Sequence, residues 1–280
     1  MSYGVCPDVK YYATRAQADD AWANAAHIPG SDGFIDRWST QAAAFRQSLL
    51  GAGRAWLDQP YGDSERQAFD LFLPEAQPQG LLIFVHGGYW IRFDRSFWSH
   101  FAQGGVENGW AVAMPGYDLC PAVTIPQIVE QITSAVQTIS AAVPDVPISL
   151  AGHSAGGHLT ARMLEQGRFS PETGSRFRRA VPISPVTDLR PLLETSMNES
   201  LRLTPEMVTA ESPTLGQSCI DIPVTVWVGA AERPVFVQQA QALAAHWNCA
   251  CEIAPDRHHF DVIDPLQDPQ SALMQALIRP

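Results

Sequence analysis

The sequence predicts an α/β fold built on a doubly wound, mostly parallel sheet with helices on both faces. Three observations predict it. Short apolar runs recur at 81–85, 111–114, 148–151, 180–183 and 224–228, as expected of strands buried on both faces. Helical segments lie between them, the clearest carrying Ile125, Ile128, Val129, Ile132, Val136 and Ile139 as one apolar stripe. A chain of 280 residues can bury a sizeable core, and α/β folds hold this length as one domain, here 1–280.

In chain order, residues 1–55 read as a helical N-terminal extension. It is Ala-rich from 14 to 50, with Trp22, Phe34, Trp38, Phe45, Leu49 and Leu50, and is broken by the turn cluster Ile-Pro-Gly-Ser-Asp-Gly at 28–33. A core spanning 60–280 follows. After Pro60-Tyr61-Gly62, residues 67–74 alternate as a strand, and the apolar runs begin. A second helix covers 235–247, with Phe236, Ala240, Leu243 and Trp247 on one side, and 251–254 is a candidate last strand. Strands alternating with helices imply right-handed crossovers and a ligand site at the carboxyl ends of the strands. Segment 185–213 breaks the rhythm, so with the N-terminal helices it is expected to form a small lid.

Composition excludes several classes of function. With 29 acidic and 18 basic side chains the net charge is −11, which repels polyphosphates, so no nucleic-acid partner is expected. Arg178-Arg179, just before an apparent strand, reads as a solvated surface feature. Residues 1–8 have no basic start followed by an apolar run. No stretch approaches the roughly 20 apolar residues of a membrane helix, so the expected setting is cytoplasmic and free of membrane. Cys6, Cys120, Cys219, Cys249 and Cys251 are scattered and odd in number, which suits reduced, packed thiols. His86 and His158 lack a second ligand at metal-binding spacing. They read as hydrogen-bonded structural imidazoles, and neither metal nor cofactor is expected.

The chemistry centres on Gly152-His153-Ser154-Ala155-Gly156, placed between an expected strand at 146–151 and an expected helix at 157–165. Small residues let such a strand-to-helix turn tighten and lift the serine hydroxyl into the cleft. A serine needs a base, and in this architecture the order is serine, acid, histidine. Downstream histidines are His246, inside the 235–247 helix, and His258 and His259, in the loop after 251–254. The acid should leave a strand between serine and histidine. Glu232 is the first carboxylate after 224–229, Asp188 is its rival after 180–183, and Asp256 and Asp261 suit capping of the histidine loop. Oxyanion donors are expected from the N–H of Ala155 and from the loop His86-Gly87-Gly88-Tyr89-Trp90, through Gly88 or Tyr89 with Gly87 as a further donor.

These residues resemble the arylformamidases (kynurenine formamidases) of the α/β-hydrolase fold, close to hormone-sensitive-lipase-type esterases. The resemblance runs through 61–74, His86-Gly87-Gly88-Tyr89-Trp90 and Gly152 to Leu159. It continues in Asp188-Leu189-Arg190-Pro191-Leu192, Thr195 to Glu199, Gly229 to Glu232 with Pro234 and Phe236, and His259 to Ile263. It covers about 60–265 and favours His259 over His258 as the base. The family's acid is usually Asp, whereas this chain has Glu232, whose carboxylate must approach from one methylene further back. The resemblance implies hydrolysis of a small-molecule formamide or ester of an aromatic amine, in tryptophan catabolism, with Ser154, Glu232 and His259 as the triad. Trp90, Phe93 and Tyr117 are expected to line a pocket for the aryl group. The assembly to test is a homodimer.

Overall fold

The computed structural model describes residues 10–216 and 220–279. The expectations for residues 1–8, Cys6 and Cys219 fall outside them. Eight strands among the described residues form one sheet: β1 (Ala55–Pro60), β2 (Ala68–Phe72), β3 (Leu81–Val85), β4 (Ala111–Pro115), β5 (Ile148–His153), β6 (Phe177–Ile183), β7 (Thr225–Gly229) and β8 (Ala250–Ala254). Their order is β1-β2-β4-β3-β5-β6-β7-β8. From β4 to β8 every pairing is parallel, while β1 and β2 run antiparallel to their neighbours.

Strand β3 shows why short apolar runs suffice. All five of its residues are buried. Successive side chains of a strand point to opposite faces, so Leu81, Ile83 and Val85 enter the core with the helix Ile125–Ala142, while Leu82 and Phe84 enter the core with Trp38, Trp98 and Leu273. The helix Ile125–Ala142 buries its expected stripe, and Gln127 Oε1 accepts the Thr124 N–H at 2.8 Å at its start. The helix Pro234–Trp247 likewise buries Phe236, Ala240, Leu243 and Trp247.

Two details depart from the sequence reading. β1 was not expected, because it lies at the sheet edge with alternating burial, ends on proline and leaves Trp56 48% exposed. Arg178 and Arg179 lie inside β6 rather than before it, at its polar entry, where Arg179 Nε donates to Arg279 O at 2.7 Å.

The N-terminal segment forms the helices Arg15–Trp22 and Asp32–Gly51, with a 3₁₀ turn Ala25–His27 between them. Residues 185–213 fold as the 3₁₀ turn Arg190–Glu194 and the short helices Asn198–Leu201 and Pro205–Glu211. The two segments join at their polar edges: Glu194 accepts the N–H groups of Tyr11 and Tyr12 at 2.8 and 3.1 Å, and Asp19 accepts the Ser196 N–H at 2.6 Å. Among the described residues no helix is long and apolar enough to cross a membrane.

Candidate active site

β5 ends at His153 and the helix Ala155–Met163 begins two residues later, so Ser154 alone makes the turn, with φ 58° and ψ −117°. A non-glycine residue there carries strain on the order of 1–3 kcal/mol, held by the surrounding packing. A Cβ on Gly156 would lie 2.0 Å from Val85 O and 2.5 Å from His86 O, and one on Gly152 would lie 2.2 Å from Gly156 O. Only glycine lets the helix press against β3 this closely. The Ser154 N–H donates to Ile183 O at 2.8 Å, tying the turn to the end of β6.

Glu232 follows β7 and His259 follows β8, and the structure brings them together with His259 Nδ1 2.6 Å from Glu232 Oε2. Facing a carboxylate, Nδ1 carries the proton, which leaves Nε2 as the basic nitrogen. The Glu232 side chain is fully enclosed. Its Oε1 accepts the Gly229 N–H at 2.8 Å and the Ser184 hydroxyl at 2.5 Å, so a buried negative charge is well satisfied. The His153 ring lies 4.6 Å from the His259 ring, which sets His259 beside the turn that carries Ser154. Burial and the neighbouring His259 hold His153 well below the usual histidine range, so it stays neutral near pH 7.

The rivals are placed elsewhere. His258 turns to Asp261, 3.1 Å away, and to the Phe34 ring. His246 meets Gly216 O at the surface. Asp188 grips Arg190 at 2.7 Å, and Asp261 also accepts the His258 N–H at 2.7 Å.

The loop after β3 turns through positive φ at Gly88, Tyr89 and Trp90 (120°, 52° and 58°). A Cβ on Gly87 would lie 3.1 Å from Ser154 Cβ, which places this loop against the serine. Among the described residues, the N–H groups of Gly87, Gly88, Tyr89 and Ala155 are taken by no main-chain acceptor.

The expected pocket residues divide. Tyr117 is fully buried, donates to His86 O at 2.9 Å and stacks on the His86 ring at 4.4 Å, so it packs against the start of the loop after β3. Trp90 is equally buried, edge-on to His158 at 5.0 Å. Phe93 is half-buried and packs with Trp38, Phe97 and Trp98. His86 and His158 each meet a main-chain carbonyl, Gly87 O at 2.8 Å and Glu211 O at 2.7 Å, and burial lowers them to about 4 and about 3. Among the described residues no group of three or more His, Cys, Asp or Glu is placed to hold a metal.

Sequence reasoning missed the contacts of the N-terminal segment with these loops. The Tyr89 hydroxyl donates to Trp22 O at 2.6 Å and accepts from Asn24 Nδ2 at 3.2 Å. Trp22 packs edge-on to Phe236 at 5.5 Å, and Phe236 lies 4.3 Å from the His259 ring. Phe34 and Trp38 sit on Phe260 at 5.5 and 5.3 Å. Single aromatics in an Ala-rich helix gave no signal of these partners, nor did Ser184 signal its contact with Glu232.

A glycine-flanked serine in a strained turn between a parallel strand and a helix is a feature of hydrolases of the α/β fold. The chain belongs to the alpha/beta hydrolase fold family, whose model matches residues 82–260. It is similar to kynurenine formamidase from Danio rerio, 28% identical over 96% of this chain and 92% of that one. Kynurenine formamidase from Drosophila melanogaster is 33% identical over 72% of this chain and 67% of that one. A crystal structure from Silicibacter sp. TM1040, of a protein provisionally named a thioesterase, superposes with a TM-score of 0.90 and 51% identity, covering 93% of this chain and 98% of that one. Within its family the chain is an arylformamidase-like hydrolase, of the formamide and ester type.

Proposed function

We propose that the chain hydrolyses aryl formamides, with N-formylkynurenine as the first substrate to test, through an acyl-enzyme on Ser154. The observation that carries the chemistry is the 2.6 Å contact of His259 Nδ1 with Glu232 beside the Ser154 turn. The similarity to kynurenine formamidases over most of the chain supports the substrate class.

In this mechanism Ser154 Oγ attacks the formyl carbon while His259 Nε2 takes its proton. The carbonyl oxygen becomes an oxyanion and is received by the N–H of Ala155 and those of Gly88 and Tyr89, with Gly87 in reach. His259 returns the proton to the nitrogen, the C–N bond breaks and the aryl amine leaves. Water, deprotonated by His259, then attacks the formyl ester and releases formate, restoring the serine. Glu232 holds the imidazole in the required tautomer and faces the positive charge it acquires.

Short-acyl ester hydrolysis is the second reading, since the same donors serve esters, and the thioesterase name of the 51%-identical relative adds acyl thioesters. Liquid-chromatography turnover of N-formylkynurenine, formyl-anilides, p-nitrophenyl acetate and butyrate, and a short acyl thioester separates them. A kcat/KM preference for N-formylkynurenine is expected; a strong preference for acetate or the thioester would replace the formamide reading. Ser154→Ala should lower kcat by about 10⁴-fold or more and abolish fluorophosphonate labelling, and full activity in that variant would remove the acyl-enzyme altogether.

A further inference from the structure

We propose that Ser184 is a positioning residue that lets a glutamate serve as the acid of this site; the inference rests on the triad reading above. A glutamate reaches further than an aspartate and has one more torsion to fix, so its carboxylate needs more anchoring to face an imidazole with one chosen oxygen. Here the two oxygens are divided. Oε2 faces His259 Nδ1 at 2.6 Å, while Oε1 accepts the Gly229 N–H at 2.8 Å and the Ser184 hydroxyl at 2.5 Å. Main-chain N–H groups do not depend on the side chain present. Ser184, besides His259, is the side-chain donor on this carboxylate among the described residues, and its single proton has a charged acceptor in front of it.

The backbone at Ser184 supports a role for the hydroxyl. It has φ 46°, in the left-handed region, and is fully buried. Glycine or asparagine would occupy such a turn with less strain, and neither supplies a hydroxyl. The position also joins the two halves of the machinery. Ile183 O accepts the Ser154 N–H at 2.8 Å, and the next residue, Ser184, donates its own N–H to Trp227 O at 2.6 Å and its hydroxyl to Glu232. One turn at the end of β6 thus sets the serine on one side and the acid on the other.

The test measures kcat and KM for Ser184→Ala and Ser184→Gly, on a substrate whose turnover Ser154→Ala abolishes, with melting curves for both. Losing a hydrogen bond to a buried carboxylate predicts a fall in kcat of about 10- to 100-fold with KM within about twofold. The two variants should fall alike, because both lack the hydroxyl while glycine relieves the backbone. The same substitution is then made in Glu232→Ala, where the rate of fluorophosphonate labelling of Ser154 gives a second readout. With no carboxylate to hold, Ser184→Ala should change either rate by less than about twofold. A kcat within twofold of the parent in Ser184→Ala or Ser184→Gly, or an undiminished further loss in Glu232→Ala, overturns the inference. Activity surviving in Ser154→Ala would instead overturn the triad reading, so the two failures are distinct.

Discussion

The carboxyl ends of β3, β5, β6 and β7 and the N-terminal segment lying over them are built on different principles. At the strand ends, position is set by backbone against backbone: Gly156 on Val85 O, Ser154 N on Ile183 O, Ser184 N on Trp227 O. The cover is held by side chains, through Tyr89 on Trp22 O, Phe34 and Trp38 on Phe260, and Arg37 on Asp264 at 3.4 Å. Contacts of the first kind tolerate almost no added atom, whereas contacts of the second kind can be trimmed or repacked. Chemistry should therefore be fixed by the strand ends, while the cover should tune which substrate is accepted and how well the loops are aligned.

The sharpest break in this contrast is a methyl group placed in each region. Gly156→Ala drives Cβ into two main-chain oxygens and should destabilise the fold by about 3–5 kcal/mol in chemical denaturation. Gly33→Ala, on the helix Asp32–Gly51 with nothing within 4 Å, should gain about 0.5 kcal/mol or less. Similar responses at the two sites would dissolve the distinction. Between these extremes lies Tyr89→Phe, which removes the shorter of two hydrogen bonds to the Trp22 carbonyl and leaves the one from the Asn24 N–H at 3.1 Å. A loss of about threefold in kcat/KM is expected there, and an unchanged value would mean that the cover does not align the loop after β3.

The smallest effect concerns pH. Asp264 is raised to about 6, chiefly because burial outweighs the Arg37 guanidinium, with Asp261 adding repulsion. The folded chain thus holds this proton more tightly than the unfolded one, so the penalty of ionising it is absent near pH 4, grows as pH rises and is complete above about pH 6. Asp264→Asn should melt about 2 °C higher than the parent at pH 8 and show no advantage near pH 4. An advantage that grows on acidification would have the wrong sign.

The strand ends were legible in the sequence for the same reason that they are rigid. Buried parallel strands are built mostly of apolar residues, so 81–85 and 148–151 stand out despite Ser149, and the tight turn admits only glycine at Gly152 and Gly156. Chain order then led to Glu232 and to the loop of His258 and His259, the resemblance favoured His259, and the structure places Glu232 and His259 in contact. The Ala155–Met163 helix starts two residues before the expected 157, because Ser154 itself completes the turn. The cover was legible as helices broken near 28–33, but not in its partners, because an aromatic such as Phe34 packs equally well on many surfaces. β1 escaped notice because an edge strand needs only half of its side chains buried. Tyr117 shows the converse hazard: an aromatic near a cleft can belong to the scaffold beneath it.

The wide spacing of Ser154, Glu232 and His259 along the chain has a consequence for synthesis. β5 pairs with β3 and β6, so its turn can form once β6 is in place, while β7 and β8 are still being made. On the proposed mechanism, a growing chain cut short before residue 259 would display a shaped serine with no base to activate it. Hydrolytic competence would then switch on only after β8 has docked.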